Sequence, residues 1–167
     1  MVYRPREDSR LLKEAITRLD LEGKKFLDMG TGTGYIAETA LDEGAEVTAA
    51  DIDPEAVEAA RNRLPSKVDV IQSDLFENVQ DSFEVVVFNP PYLPRAPGGT
   101  TATVSGEAGS QVSRRFLQMC PDHVSKDGEV VLVASSKNEL QTKRHETLNA
   151  VRLWFERLEV IRIRDNF

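Results

Sequence analysis

One cysteine, Cys120, occurs in 167 residues. That excludes an intrachain disulfide and any zinc site built on several thiolates. Basic charge is also scarce: 28 Asp and Glu stand against 21 Lys and Arg, a formal net charge of −7. A protein that holds nucleic acid mainly by neutralising phosphates carries the opposite balance. No apolar run approaches the length that crosses a bilayer. Met1 to Glu14 mixes arginine with acid around no apolar core, so no signal peptide is expected. Internal repeats are missing as well. These absences leave one cytoplasmic domain over residues 1–167, a length ordinary for a single domain.

The shortage of basic charge is local. Residues 1–90 hold 19 acids and 10 bases, net −9, and residues 91–167 hold 9 and 11, net +2. Solvated surface accounts for most such patterning. The alternative is a second part that faces an anionic or acid-flanked partner.

Hydrophobic spacing predicts alternating helices and strands. Leu11, Leu12, Ala15, Ile16 and Leu19 share one face of a helix over 7–19. A strand over 25–29 runs into a glycine cluster, a helix over 35–43 stops at Gly44, and a second strand covers 46–50. Asp53 can cap a helix whose first turn holds Pro54 and which reaches about Leu64. Strands follow over 68–72, 83–88 and 129–134, with Val85, Val86 and Val87 unbroken as in a strand buried on both faces. A helix is expected over 113–124 and an outer strand over 160–164, where apolar and charged residues alternate. Residues 94–113 are rich in Gly, Ser, Thr, Pro and Ala and read as a long loop, either mobile over an active site or plainly disordered. The order implies a doubly wound α/β sheet with parallel strands.

Three strand ends carry the chemistry. The segment from Asp28 through Gly30 and Gly32 to Gly34 leaves a strand and opens a helix, so backbone N–H groups can meet a ligand without a Cβ between. Asp51 ends the second strand at the distance where an acid accepts from ribose hydroxyls. Asp74, after the third strand, could accept from an exocyclic adenine amine, or cap a turn. Directly after the fourth strand stands Asn89-Pro90-Pro91-Tyr92. Two prolines remove two N–H donors, leaving an acceptor corner of the Asn89 side-chain oxygen and the Pro90 carbonyl. That corner can hold both hydrogens of a planar –NH2, with the Tyr92 ring on its face. Holding them favours a pyramidal, nucleophilic nitrogen and stabilises the positive charge that grows on attack.

With these residues the chain resembles the class I S-adenosylmethionine-dependent methyltransferases that carry an NPPY motif. More narrowly, it resembles the HemK-related protein-glutamine N-methyltransferases of the eukaryotic and archaeal release-factor type. The opening Val2-Tyr3-Arg4-Pro5-Arg6-Glu7-Asp8-Ser9 and the later Phe155-Glu156-Arg157-Leu158 extend the resemblance over nearly the whole chain. It implies a Rossmann-like seven-stranded sheet with helices on both faces. The last helix would be shortened, or replaced by a strand near 148–154. It implies S-adenosyl-L-methionine as cofactor, with Ser9 at its methionine part and Asp28 and Gly30 at its amino and carboxyl groups. Gly32, Ile52 and Asn89 would be further contacts, Asp51 would bind the ribose, and Asp74 with Leu75 the adenine. Asn89, Pro90, Pro91 and Tyr92 would hold the substrate, with Asn89, Pro90 and Tyr92 catalytic. The implied substrate is the glutamine of a Gly-Gly-Gln tripeptide in a peptide-chain release factor. The implied partner is a small zinc-binding activator that pairs with the sheet edge at 68–72.

Alternatives stay open at this point. The same corner suits an adenine N6 of DNA or RNA, or a lysine amine, and a scaffold for the activator needs no turnover at all. Cys120, His123 and His145 match no familiar ligand spacing, so no metal is assigned to the chain. Arg114 and Arg115 read as a solvated helix face, and Trp154 and Phe155 as core or edge packing.

Overall fold

The computed structural model describes residues 7–90, 106–136, 144–154 and 156–164. Helix α1 (Glu7–Ile16) precedes β1 (Lys25–Met29), α2 (Tyr35–Asp42), β2 (Glu46–Asp51), α3 (Pro54–Arg63), β3 (Asp69–Gln72) and β4 (Phe83–Phe88). Helix α4 (Gly106–Met119), β5 (Val124–Ser135), β6 (Glu146–Arg152) and β7 (Arg157–Ile163) complete the chain. The strands form one seven-stranded sheet in the order β3-β2-β1-β4-β5-β7-β6. The first five run parallel; β7 is antiparallel to both β5 and β6, so the sheet is mixed.

Apolar residues fill both faces. Leu12 and Ile16 of α1, Ala37 and Ala40 of α2 and Ala60 of α3 join Val85, Val87, Val131 and Val133 on one side. Phe116 and Cys120 join Phe76, Val86, Val130, Leu132 and Ile161 on the other. The unbroken Val85–Val87 run is buried because both faces are covered. Asp53 caps α3 by accepting from the Glu55 N–H at 2.9 Å. No helix among the described residues is long and apolar enough to cross a membrane.

Four expectations need correction. Helix α4 begins at Gly106, inside the stretch read as loop, and ends at Met119 before a short 3-10 turn at Cys120–Asp122. Its Gly and Ser content reads as a breaker, yet Phe116 is fully buried and Val112, Leu117 and Met119 pack on the same cluster, and tertiary burial outweighs propensity. Residues 94–105 of that loop, and residues 1–6, lie outside the described residues. Strand β7 is interior, between β5 and β6. Its charged positions resemble an outer face because Arg162 is nearly buried but ion-paired to Glu129 and Glu146. Trp154 is no packing residue: it stands fully exposed in the turn between β6 and β7, while Phe155 lies outside the described residues. Arg115 does not merely face solvent; its guanidinium is bonded to Asp74. The strand expected near 148–154 exists as β6, over 146–152.

Candidate active site

Parallel strands β2, β1 and β4 end side by side, and α2 and α4, the described helices that follow β1 and β4, pack on opposite faces of the sheet, which opens a crevice at their carboxyl ends. The turn after β1 lines its floor. Gly30, Gly32 and Gly34 all adopt positive φ, at 69°, 56° and 78°. The N–H groups of Gly30 and Thr31 both donate to the Ala50 carbonyl, at 2.8 and 3.0 Å, which pins the turn to β2.

Asp28 is buried beneath this turn. Its Oδ2 accepts from the Thr31 hydroxyl at 2.6 Å and from the Ala37 N–H at 3.0 Å. Its Oδ1 takes no bond among the described residues. Burial pushes the carboxyl up from 3.8 to about 7, against the pull of those two donors, and Asp51 raises it further. Asp51 at the end of β2 is half-buried, with Oδ2 accepting from the Gly32 N–H and Oδ1 from the Asp53 N–H, each at 2.9 Å. Burial raises its pKa too, opposed by the same backbone donors. Each oxygen keeps a second lone pair for a ligand. Ile52 follows, 62% exposed, an apolar surface beside the carboxylate.

The third wall is the turn after β3. Leu75 has φ of 50°, the sole described non-glycine residue with a positive φ. Ser73 holds it there: its hydroxyl donates to the Leu75 carbonyl at 2.7 Å and accepts from the Asn78 N–H at 2.9 Å. Such a conformation costs of order 1 kcal/mol and persists where surrounding bonds enforce it. Asp74 precedes it, its carboxylate bonded by Arg115 of α4.

At the end of β4, the Asn89 amide nitrogen donates to Asp8 Oδ2 of α1 at 3.3 Å. Asp8 Oδ1 accepts from the Ser9 N–H at 2.8 Å, and both residues are buried. The Asn89 amide is thereby tied to α1 through its nitrogen. A Cβ at Gly30 would lie 3.5 Å from the Phe88 ring and 3.9 Å from the Asn89 carbonyl, so the glycine turn and the acceptor corner adjoin.

Of the residues singled out by sequence, Asp28, Gly30, Gly32, Asp51, Ile52, Asp74, Leu75, Asn89 and Pro90 are therefore brought to one rim of the sheet. Ser9 is buried on α1 next to Asp8, which is bonded to Asn89. Pro91 and Tyr92 lie outside the described residues. Asp8 was missed as a site residue. Its signal is its place: Asp8, Leu11, Leu12 and Ala15 follow helical spacing, so an acid sits on the buried face and needs a donor. Cys120 is buried in the core, its thiol pushed up to about 12 by burial, and His123 stacks on Phe76 at 4.5 Å.

The set fits S-adenosylmethionine by its donors and acceptors. Asp28 Oδ1 suits an ammonium, the second lone pairs of Asp51 suit ribose hydroxyls, and Ile52 with Asp74 suits a base carrying an amine.

Comparison with known proteins identifies the family. The methyltransferase small domain family matches residues 6–166. A Methanocaldococcus jannaschii protein, provisionally named protein N5-glutamine methyltransferase, is 35% identical over 161 residues, covering 90% of this chain and 79% of that one. The release factor glutamine methyltransferase of Deinococcus radiodurans is 34% identical over 155 residues, 83% of this chain and 55% of that one. Among solved structures, the E. cuniculi Mtq2–Trm112 complex, described as responsible for methylation of the eRF1 translation termination factor, matches with a TM-score of 0.75. Its identity is 26%, with 99% of both chains covered.

Proposed function

The chain belongs to the methyltransferase small domain family, and from that premise we propose that it methylates the side-chain nitrogen of a glutamine in a Gly-Gly-Gln tripeptide of a peptide-chain release factor. The observation that carries the reading is the place of Asn89-Pro90 at the end of β4, beside the glycine turn, with the Asn89 amide nitrogen tied to Asp8; in this reading its oxygen and the Pro90 carbonyl are the acceptors. A glutamine –NH2 offers two hydrogens to these two oxygens. The amide nitrogen is a poor nucleophile because its lone pair is delocalised. Bonds that draw both hydrogens out of the amide plane free that pair, and they strengthen as the nitrogen becomes positive, so they stabilise the transition state more than the ground state. No base must act first; the proton leaves the nitrogen after the N–C bond has formed.

S-adenosylmethionine, when bound, supplies an electrophilic methyl on a sulfonium sulfur. Asp28 and Gly30 would hold its amino-acid end with Ser9, Gly32 and Asp51 the ribose, and Ile52, Asp74 and Leu75 the adenine. Pro91 and Tyr92 complete the substrate corner in this reading. Residues 1–167 then make one methyltransferase domain, since one sheet carries both apolar clusters. In this reading the reaction would take place in the cytoplasm, where translation factors act. A small activator protein would pair with β3, and any zinc in the complex would belong to it, because the chain has a single cysteine.

The test is to incubate the chain with its activator, methyl-labelled cofactor and release factor, and map the label. Label on the tripeptide glutamine is the expected result. A chain that binds cofactor yet never labels that glutamine would remove the substrate assignment.

A further inference from the structure

We propose that Arg115 is a positioning residue: it holds the carboxylate of Asp74 in the orientation that reads a 6-amino purine, and so sets the chain's preference for an adenine-bearing cofactor. This rests on the reading of Asp74 as the adenine contact given above.

The three carboxylates of the crevice are held differently. Asp28 is fixed by the Thr31 hydroxyl and the Ala37 N–H, and Asp51 by the N–H groups of Gly32 and Asp53. These donors belong to the turns that carry the acids, so folding of the turn orients the acid. The Asp74 side chain has no such local donor. Among the described residues its one partner is Arg115, with Nη1 3.4 Å from Oδ1 and Nη2 3.2 Å from Oδ2. The partner comes from 41 residues away in sequence. A strand-end carboxylate that is one-third exposed rotates unless something restrains it. A two-pronged guanidinium restrains both oxygens in one plane. It leaves each oxygen a second lone pair, so the carboxylate still accepts from an amine.

Arg115 is itself placed with little freedom. Its neighbour Phe116 is fully buried, stacked on Phe88 at 4.5 Å and on Phe76 at 5.4 Å. Phe88 adjoins Asn89, and Phe76 lies two residues beyond Asp74. Helix α4 therefore braces the acceptor corner and the adenine wall against each other, and Arg115 extends from the brace. Attraction between charges that are one-third and one-half exposed contributes little to stability. The consequence of the pair is orientation.

A 6-amino purine donates to a fixed carboxylate, whereas a 6-oxo purine presents an oxygen to it and is rejected. The experiment measures calorimetric binding of S-adenosylhomocysteine and S-inosylhomocysteine to wild type, R115Q, R115K and D74N, with thermal melting of each. Wild type is expected to prefer the adenosyl compound. R115Q should lose about tenfold in adenosyl affinity with inosyl affinity unchanged, R115K should recover part of the preference, and R115Q/D74N should discriminate no worse than D74N alone. If R115Q keeps the wild-type ratio, even while both affinities fall together, Arg115 is only structural and the proposal is overturned. If wild type binds neither compound, the cofactor reading of the crevice fails, and this inference with it.

Discussion

Asp28 is a residue whose ionisation the fold opposes. Its carboxyl is raised from 3.8 to about 7, chiefly by burial. Between those values the folded chain binds a proton that the unfolded chain has released. Stability therefore falls as pH rises through that window and levels off above it. Asp28→Asn, which keeps an oxygen for Thr31 and Ala37, should flatten the slope in denaturant unfolding at pH 5 and pH 8. An unchanged slope would assign the effect to other groups. A ligand ammonium reverses the preference by stabilising the ionised form. Cofactor affinity should climb with pH up to about 7, by at most about tenfold per unit for one linked proton. Binding heats below that pH should depend on the buffer's ionisation enthalpy. Asn89 makes the complementary case, since its proposed part is in turnover. Asn89→Ala should leave cofactor affinity near normal and lower kcat by at least about 100-fold, the scale set by loss of one group that stabilises transition-state charge. Turnover within tenfold of wild type would refute its role.

Among the elements, the turn after β1 separates ligand contact from packing. Gly32 and Gly34 have φ of 56° and 78°, where a side chain costs about 1–2 kcal/mol. A Cβ at Gly34 would lie 3.2 Å from the Leu64 side chain and 3.5 Å from Ala60, pressing α2 away from α3. A Cβ at Gly32 would meet no protein atom within 4 Å, so it would project into open space at the crevice. Gly34→Ala should therefore lower Tm more and leave the folded fraction's cofactor affinity intact. Gly32→Ala should lower Tm less and weaken binding. Equal losses of affinity would show that Gly32 does not face the ligand. Helix α4 makes a different point about elements. Its glycines and serines disguise it, and Phe116, locked between Phe76 and Phe88, makes it a helix.

For the whole molecule, the sheet's outer strands decide what the chain can pair with. Strand β3 is an edge, as the sequence order implies, but its edge is partly capped. The Ser73 N–H donates to the Asp51 carbonyl at 2.9 Å, so Ser73 and, two residues back, Ile71 face β2. Val70 and Gln72 face outward. Their carbonyls accept from the Arg61 guanidinium and the Asn78 amide, each at 2.9 Å. An activator that adds a strand here must displace both. Arg61→Ala should bare the Val70 carbonyl and make the isolated chain self-associate, seen as earlier elution in size exclusion, while a bound activator suppresses the difference. Identical elution of the variant and wild type without activator would show that Arg61 does not guard the edge. The charge division also takes on a place: the acidic part, through Asn89-Pro90, builds the crevice floor and walls, and Arg115, the cation bonded to its wall among the described residues, comes from the faintly basic part.

Local pattern alone determined the alternation of helices and strands, the αL glycines, the Asp53 cap and the acids at strand ends, because each depends on a residue and its near neighbours. The acceptor corner at Asn89-Pro90 was legible for the same reason: proline removes donors wherever it stands. Only the tertiary structure decided that the Asn89 amide nitrogen is held by Asp8, 81 residues away. It likewise decided that β7 is interior, that α4 starts at Gly106, and that Arg115 reaches Asp74. Each of these depends on partners far apart in sequence, whose effect on burial and hydrogen bonding exists only once the sheet has brought them together.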